Sequence, residues 1–334
     1  MERVKFGIVS YAHPHVMRYA PAIAKNEKTE LVAIASEDVN RDLAIADAKK
    51  YGAKFYCDYS ELLQDGDVDA VYIASESFKH FELAVEAMEN GKHVLLEKPI
   101  AMNTRDASEL IRIASREGVK LMVPFNPRFT QPLKKAYEMI RDGEIGKLVY
   151  VTAISENVKP PIYIRGFNAE WFLDPAKSGG GGFMDTAPHG IDSLLWLVGE
   201  PRRIYADIGA KVYGLPVDDI GTAMIEFNDG IVALLTAGWG NPKGYPWGLE
   251  VKYHLVGENG FLDVRTAYPD FEVYGEGAER VYWERPDVDS IVQGFAEAVL
   301  EDHPVPISPN LALKNLEIVL TAYESSRKKE WVNL

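Results

Sequence analysis

The chain is poor in cysteine, in basic clusters and in long apolar runs, and each shortage removes a class of function. Cys57 is the only cysteine, so no intrachain disulfide is possible and a cytoplasmic, reducing setting is expected. No apolar run reaches the roughly 18 residues that span a bilayer, so no membrane association is expected. The N-terminal run MERVKFGIV leads straight into a strand pattern, and no signal peptide is expected. Basic residues never cluster beyond Arg327-Lys328-Lys329, and the formal net charge is −14. Nucleic acid is therefore not an expected partner. Internal repeats and low-complexity tracts are also missing.

With 334 residues, 47% of them hydrophobic and 26% charged, the chain is an ordinary globular composition with room for two domains. Strand and helix patterns alternate over the first ~125 residues, beginning with an apolar strand at Val4–Ser10 and a helix at Pro14–Lys25. Gly91 and Gly118 stand where helix-stopping C′ glycines belong. Apolar strands separated by helices specify a parallel sheet covered on both faces. Further on, strands from Ile204 to Trp283 are joined by turn signals at Asn228–Gly230, Gly257–Gly260 and Gly275–Gly277, which means hairpins. Helices at about Asp287–Glu301 and Asn310–Lys328 close the chain. The fold class is α/β: a Rossmann-type doubly wound parallel sheet in a domain of residues 1–124, then an α+β domain of residues 125–334 with a large, open, mostly antiparallel sheet. An open sheet face invites self-association, so a dimer or tetramer through the second sheet is expected.

The densest signal is Ser178–Asp192, SGGGGFMDTAPHGID. Four glycines bring the backbone close to something bulky, and a helix follows, with Asp185 as its expected N-cap and Pro188 in its first turn. Helical spacing puts Asp185, His189 and Asp192 on one face. A histidine near a helix N-terminus is held neutral by the dipole and can take a proton. The same pair serves equally as a cap with a polar contact. D-x3-H-x2-D also has metal-ligand character, but no further His/Cys/Asp cluster stands near it, so no metal is expected.

A doubly wound sheet binds its ligand at the carboxyl ends of the strands. The G-x-G-x-x-G that would cradle a diphosphate after the first strand is absent: Ser10, Ala12 and His15 hold the glycine positions. His13 and His15 either touch a phosphate or crowd it. After the second strand, Ser36 and Glu37 stand where an acidic residue holds ribose hydroxyls, and no Arg follows at once, which favours NAD over NADP. Trp239, Tyr245 and Trp247, in a Gly/Pro-rich loop, either stack on a sugar or fill a subunit interface.

Two long segments carry a resemblance. His80–Pro99, ending in Glu97-Lys98-Pro99, and Trp171–Asp192, read W-x-x-D-P-x-x-S-G-G-G-x-x-x-D-x-x-x-H-x-x-D, resemble the hallmarks of the glucose–fructose oxidoreductase/inositol dehydrogenase (Gfo/Idh/MocA) family. Phe125–Phe129 and the end of the last helix also resemble it. The resemblance implies an NAD(P)-dependent oxidoreductase acting on a sugar, cyclitol or related carbinol, with Lys98, Asp185 and His189 as the catalytic group and a cis bond often found at the position of Lys98–Pro99. The nucleotide-binding set expected is Ser10, Ala12, His13, His15, Ser36, Glu37, Ser75, His80, Glu97 and Lys98. The substrate set is Asn126, Arg128, Tyr163, Trp171, Phe172 and Asp192. Phe172 replaces an Arg common in relatives, implying a less anionic or more apolar substrate. Two other readings stay open: a redox-assisted lyase or glycosidase that retains NAD, and a non-catalytic nucleotide or metabolite sensor.

Overall fold

The protein is seen in a computed structural model that describes residues 3–157, 160–241, 249–266, 270–274, 278–282 and 288–334. Tyr245, Trp247, the Gly275–Gly277 turn and the expected helix start at Asp287 lie outside the described residues.

The first sheet is built from β1 (Val4–Val9), α1 (Val16–Lys25), β2 (Thr29–Ala35), α2 (Arg41–Tyr51), β3 (Lys54–Tyr56), α3 (Tyr59–Leu63), β4 (Ala70–Ile73), α4 (His80–Glu89), β5 (His93–Leu96), α5 (Thr104–Glu117) and β6 (Leu121–Met122). Its strands run in the order β3-β2-β1-β4-β5-β6, all parallel. The switch of direction lies between β1 and β4, where the sequence placed the ligand crevice. β1 and β4 are almost entirely buried, as strands covered on both faces must be. Gly91 and Gly118 have φ of +73° and +67°, the left-handed geometry that ends a helix at glycine with no Cβ penalty.

The chain continues through α6 (Gln131–Arg141), β7 (Leu148–Asn157), α7 (Pro175–Ser178), α8 (Gly182–Leu197), β8 (Pro201–Gly209), β9 (Ile220–Phe227), β10 (Val232–Gly238), β11 (Leu249–Gly257), β12 (Phe261–Arg265), β13 (Asp270–Tyr274), β14 (Ala278–Tyr282), α9 (Asp289–Leu300), α10 (Pro309–Lys328) and β15 (Val332–Asn333). Among the described residues the second sheet has the order β14-β13-β12-β11-β7-β10-β9-β8-β15, antiparallel except for β7 with β10. Phe183, Ile191, Leu194, Ala233, Leu235 and Tyr253 are buried in its core. α9 returns to the first core, where Ile291, Val292 and Phe295 are fully buried and Phe295 meets Phe6 of β1. On the other face of the second sheet, Tyr150, Met224 and Leu234 are exposed on adjacent strands.

Two local expectations are corrected. Helix α8 begins at Gly182, so Asp185 lies inside its first turn rather than capping it, and Pro188 sits in the helix interior. The cap comes from elsewhere: the Asp218 carboxylate accepts from Gly181 N and Phe183 N at 2.9 and 2.8 Å, and its carbonyl accepts from Gly182 N at 2.7 Å. A carboxylate there satisfies orphan N–H groups and complements the helix dipole. The bulky object the glycines approach is this Asp218–Asp219 backbone, into which a Cβ at Gly181 or Gly182 would project. Helix α1 begins at Val16 rather than Pro14, because Val16 N and Met17 N are drawn to the carbonyls of His13 and Pro14.

Candidate active site

The residues following β1, β2, β4 and β5 meet at one edge of the first sheet: Ser10–His15, Ser36–Asp38, Ala74–Ser75 and Glu97–Lys98. Helix α8 of the second sheet lies against that edge. The Lys98 Nζ donates to Asp185 Oδ1 at 2.5 Å and to the Asp185 carbonyl at 2.8 Å, with both side chains buried. The second carboxylate oxygen accepts from Trp239 Nε1 at 2.9 Å and from Asn157 Nδ2 at 3.4 Å. Burial pushes the Asp185 carboxyl up, but the Lys98 charge and the hydrogen bonds from Lys98 and Trp239 outweigh it and hold it at about 2. The Lys98–Pro99 bond is cis.

His189 is one helical turn beyond Asp185. Its Nδ1 is buried with no partner, and its ring stands 6.2 Å from that of His15 and 6.4 Å from that of Phe125. Burial, followed by the charges of Lys98 and His15, lowers it to about 3. The imidazole is thus neutral near pH 7, as expected, but for another reason. His189 lies two turns into α8, where the dipole has faded, and desolvation takes its place.

Glu97 is fully buried. It accepts from Tyr72 Oη at 2.6 Å and lies 3.1 Å from His15 Nδ1 and 3.9 Å from His13 Nδ1. Burial raises its carboxyl, yet His15, His13 and Lys98 together hold it well below the usual range. Burial keeps His13 neutral. One ligand atom each of His13, His15 and Glu97 lies within 4.8 Å of the others. His80 is clamped instead, with Nδ1 at 2.7 Å from the Pro99 carbonyl and Nε2 at 3.3 Å from that of Ser75. It braces the Lys98 turn. Ser75 Oγ donates to the Glu76 carbonyl at 3.2 Å.

At the diphosphate turn, Ser10 adopts φ +75°, the left-handed step that a glycine would supply. Its Oγ donates to Asp38 at 2.9 Å, and Tyr11 N donates to the same oxygen at 2.7 Å. Asp38, not Glu37, is therefore the acid that faces this turn. Glu37 accepts from Tyr59 N at 2.7 Å, and Ser36 Oγ is buried without a partner.

The substrate set separates. Asp192 and Arg128 face each other, bidentate at 2.6 and 2.8 Å, with Asp192 fully buried and Arg128 over the Trp196 ring. Burial raises the Asp192 carboxyl to about 6 despite the arginine. Asn126 accepts from Tyr19 Oη at 2.9 Å. Trp171 Nε1 donates to the Ala12 carbonyl at 2.9 Å, so Trp171 closes over the first-strand turn. Phe172 stacks on Trp171 at 3.8 Å and packs near His13 and Trp239. Tyr163 is exposed, beside Tyr213. Trp239 neither stacks on a surface nor waits at an interface: it is fully buried and holds Asp185.

These features define a two-sheet α/β protein whose second sheet presents an Asp/His helix to the carboxyl edge of a Rossmann sheet. Residues 5–125 match the family described as "Oxidoreductase family, NAD-binding Rossmann fold", and residues 133–263 match the "GFO/IDH/MocA C-terminal domain". The chain belongs to the Gfo/Idh/MocA oxidoreductase family. It is 30% identical to "Uncharacterized oxidoreductase ORF334" of Rhizobium meliloti over 239 residues, 70% of this chain and 68% of that protein. It is 29% identical to the myo-inositol 2-dehydrogenase of Thermotoga maritima over 237 residues, 69% of this chain and 67% of that one. The solved structure of a levoglucosan dehydrogenase in complex with NADH and L-sorbose has the same fold, with a TM-score of 0.85 at 22% identity over 100% of this chain and 99% of that one.

The site fits a nicotinamide dinucleotide at its two ends. The unpartnered His189 Nδ1 and the Lys98–Asp185 pair stand at one, and Asp38 and the unpartnered Ser36 Oγ at the other. The middle is different. Every backbone N–H from Ser10 to Met17 already has an acceptor within the chain, and Pro14 has none to give. A diphosphate held by this turn has to displace one of those bonds.

Proposed function

We propose that the protein transfers a hydride between NAD, with NADP as the alternative, and a carbinol or ketone of a sugar, cyclitol or related small polyol. The observation that carries this reading is the buried Lys98–Asp185 pair set beside the unpartnered, neutral His189 at the carboxyl edge of the Rossmann sheet. The nicotinamide, when bound, supplies the hydride acceptor or donor. Lys98 places a positive charge against the substrate oxygen and steadies it as alkoxide character develops. His189, neutral and half-buried at this edge, takes the hydroxyl proton on its imidazole or returns it in the reverse direction. Asp185, fixed by Trp239, keeps the Lys98 ammonium aimed at that oxygen. Asp38 favours NAD, since a carboxylate beside the ribose accepts from hydroxyls and repels a 2′-phosphate.

Names of relatives support the substrate class: one is an inositol dehydrogenase, and a fold relative was solved with NADH and L-sorbose. Residues 1–124 would carry the nucleotide, and residues 125–334 the substrate pocket and a dimer or tetramer contact through the exposed Tyr150, Met224 and Leu234. Arg128 with Asp192, Asn126 and Tyr19, and Trp171 with Phe172 are assigned to shaping the pocket wall. The test is reduced-cofactor formation with a panel of polyols and inositols. Turnover is expected with at least one of them and is lost in folded Lys98→Ala and His189→Gln variants. Full activity in either variant overturns the assignment.

A further inference from the structure

We propose that His13, His15 and Glu97 form a binding site for one divalent transition-metal ion of the Zn²⁺ type. The site goes beyond the oxidoreductase reading and does not depend on it. The three residues come from two loops at the carboxyl ends of β1 and β5, and one ligand atom from each lies within 4.8 Å of the other two. His15 Nδ1 stands 3.1 Å from Glu97 Oε1, and His13 Nδ1 stands 3.9 Å from Glu97 Oε2. Donor atoms bound to one ion at about 2.0–2.2 Å sit at comparable separations, so small ring movements bring all three to one centre.

One buried polar atom of this cluster has no partner. His13 is fully buried, and its Nε2 has no partner. Its Nδ1 accepts from His15 N at 3.2 Å and is too far from Glu97 for a hydrogen bond. With Nδ1 accepting, the proton lies on Nε2, and that buried N–H has no acceptor, which is rare. An ion between Nδ1 and the carboxylate would take the Nδ1 lone pair in place of the bond from His15 N.

The surroundings have the character of a prepared ligand shell. Tyr72 Oη and Lys98 N donate to Glu97 and fix its orientation, as outer partners of metal ligands do. His15 remains a quarter exposed, which gives an ion a way in. Two imidazoles and one carboxylate select Zn²⁺ and its neighbours over Mg²⁺ or Ca²⁺, and they leave a fourth tetrahedral position open. That position belongs to the same sheet edge as Lys98, Asp185 and His189.

The test uses the full-length protein, treated with chelator and checked for its fold by circular dichroism, then titrated with ZnCl₂ by calorimetry and with CoCl₂ by visible absorbance. One equivalent per chain is expected, with the intense absorbance bands of low-coordinate Co²⁺. His15→Ala, at a partly exposed position, and the near-isosteric Glu97→Gln should each weaken Zn²⁺ binding by at least about 100-fold, beyond the 10–100-fold that outer-partner changes bring. His303→Ala, at an exposed surface histidine, should leave it unchanged. No uptake by the wild-type protein, or uptake that survives His15→Ala and Glu97→Gln undiminished, overturns the proposal.

Discussion

Replacing Lys98 by methionine removes the cation bonded to the buried Asp185 carboxylate, and its effect on stability depends on pH. In the native protein Asp185 is held at about 2 rather than 3.8. Each pKa unit is worth about 1.4 kcal/mol, so the fold favours the ionised form by roughly 2–3 kcal/mol. A depressed carboxyl contributes stability that is present above 3.8 and lost as pH falls toward 2. In Lys98→Met the Trp239 and Asn157 bonds to Oδ2 remain, but burial, already the largest influence on this group, loses its main opponent. The folded pKa rises above 3.8, and the sign reverses: stability is present below 3.8 and lost as pH rises through the new value. An unpaired buried charge costs about 3–5 kcal/mol at neutral pH, or a fall in Tm of roughly 6–20 °C at about 2–4 °C per kcal/mol. Thermal unfolding followed by circular dichroism should show a wide gap between wild type and variant at pH 7 that narrows toward pH 4. Adding Asp185→Asn should recover most of the loss at pH 7. A gap that is constant from pH 4 to 7, or a double variant no more stable than the single one, refutes the reasoning.

Other consequences follow from the same geometry. With His189 held at about 3, kcat/KM should show no acid limb between pH 5 and 7; a limb near 6.5 would mean the base is solvated. That depressed histidine also makes the fold less stable as pH falls from 6.5 toward 3, because the unfolded chain takes up the proton first, and His189→Gln should flatten this slope in a thermal-unfolding series. Asp218→Ala strips the cap from α8 and should lower stability by about 0.5–2 kcal/mol in a denaturant titration. Asp38→Ala should weaken NADH more than NADPH in a fluorescence titration; equal weakening would remove Asp38 from the ribose.

The elements were legible wherever the cause was local. Apolar runs gave β1, β2, β4 and β5, and Gly91 and Gly118 marked helix ends because only glycine takes that backbone turn without strain. The Lys98–Asp185–His189 assembly was legible through its two motifs. What stayed hidden was set by distant pairing. Asp218 caps α8 from 37 positions away, so no local pattern signalled that Asp185 was free for Lys98. His15 finds Glu97 across 82 positions, and nothing near either residue announces the other. Trp239 read as a loop aromatic, because burial of an indole is decided by packing and its N–H by a carboxylate on another element. Glu37 and Asp38 are adjacent acids, and only the direction of each side chain after β2 decides which meets the turn.

The most direct test of the account is calorimetric titration of the folded, nucleotide-free protein with NADH and, separately, with NADPH. One NADH per chain is expected, bound more tightly than NADPH, with the first-strand turn giving up one of its internal bonds to the diphosphate. Binding of neither nucleotide by the folded protein would contradict it, since the Lys98–Asp185–His189 group would then have no hydride to handle.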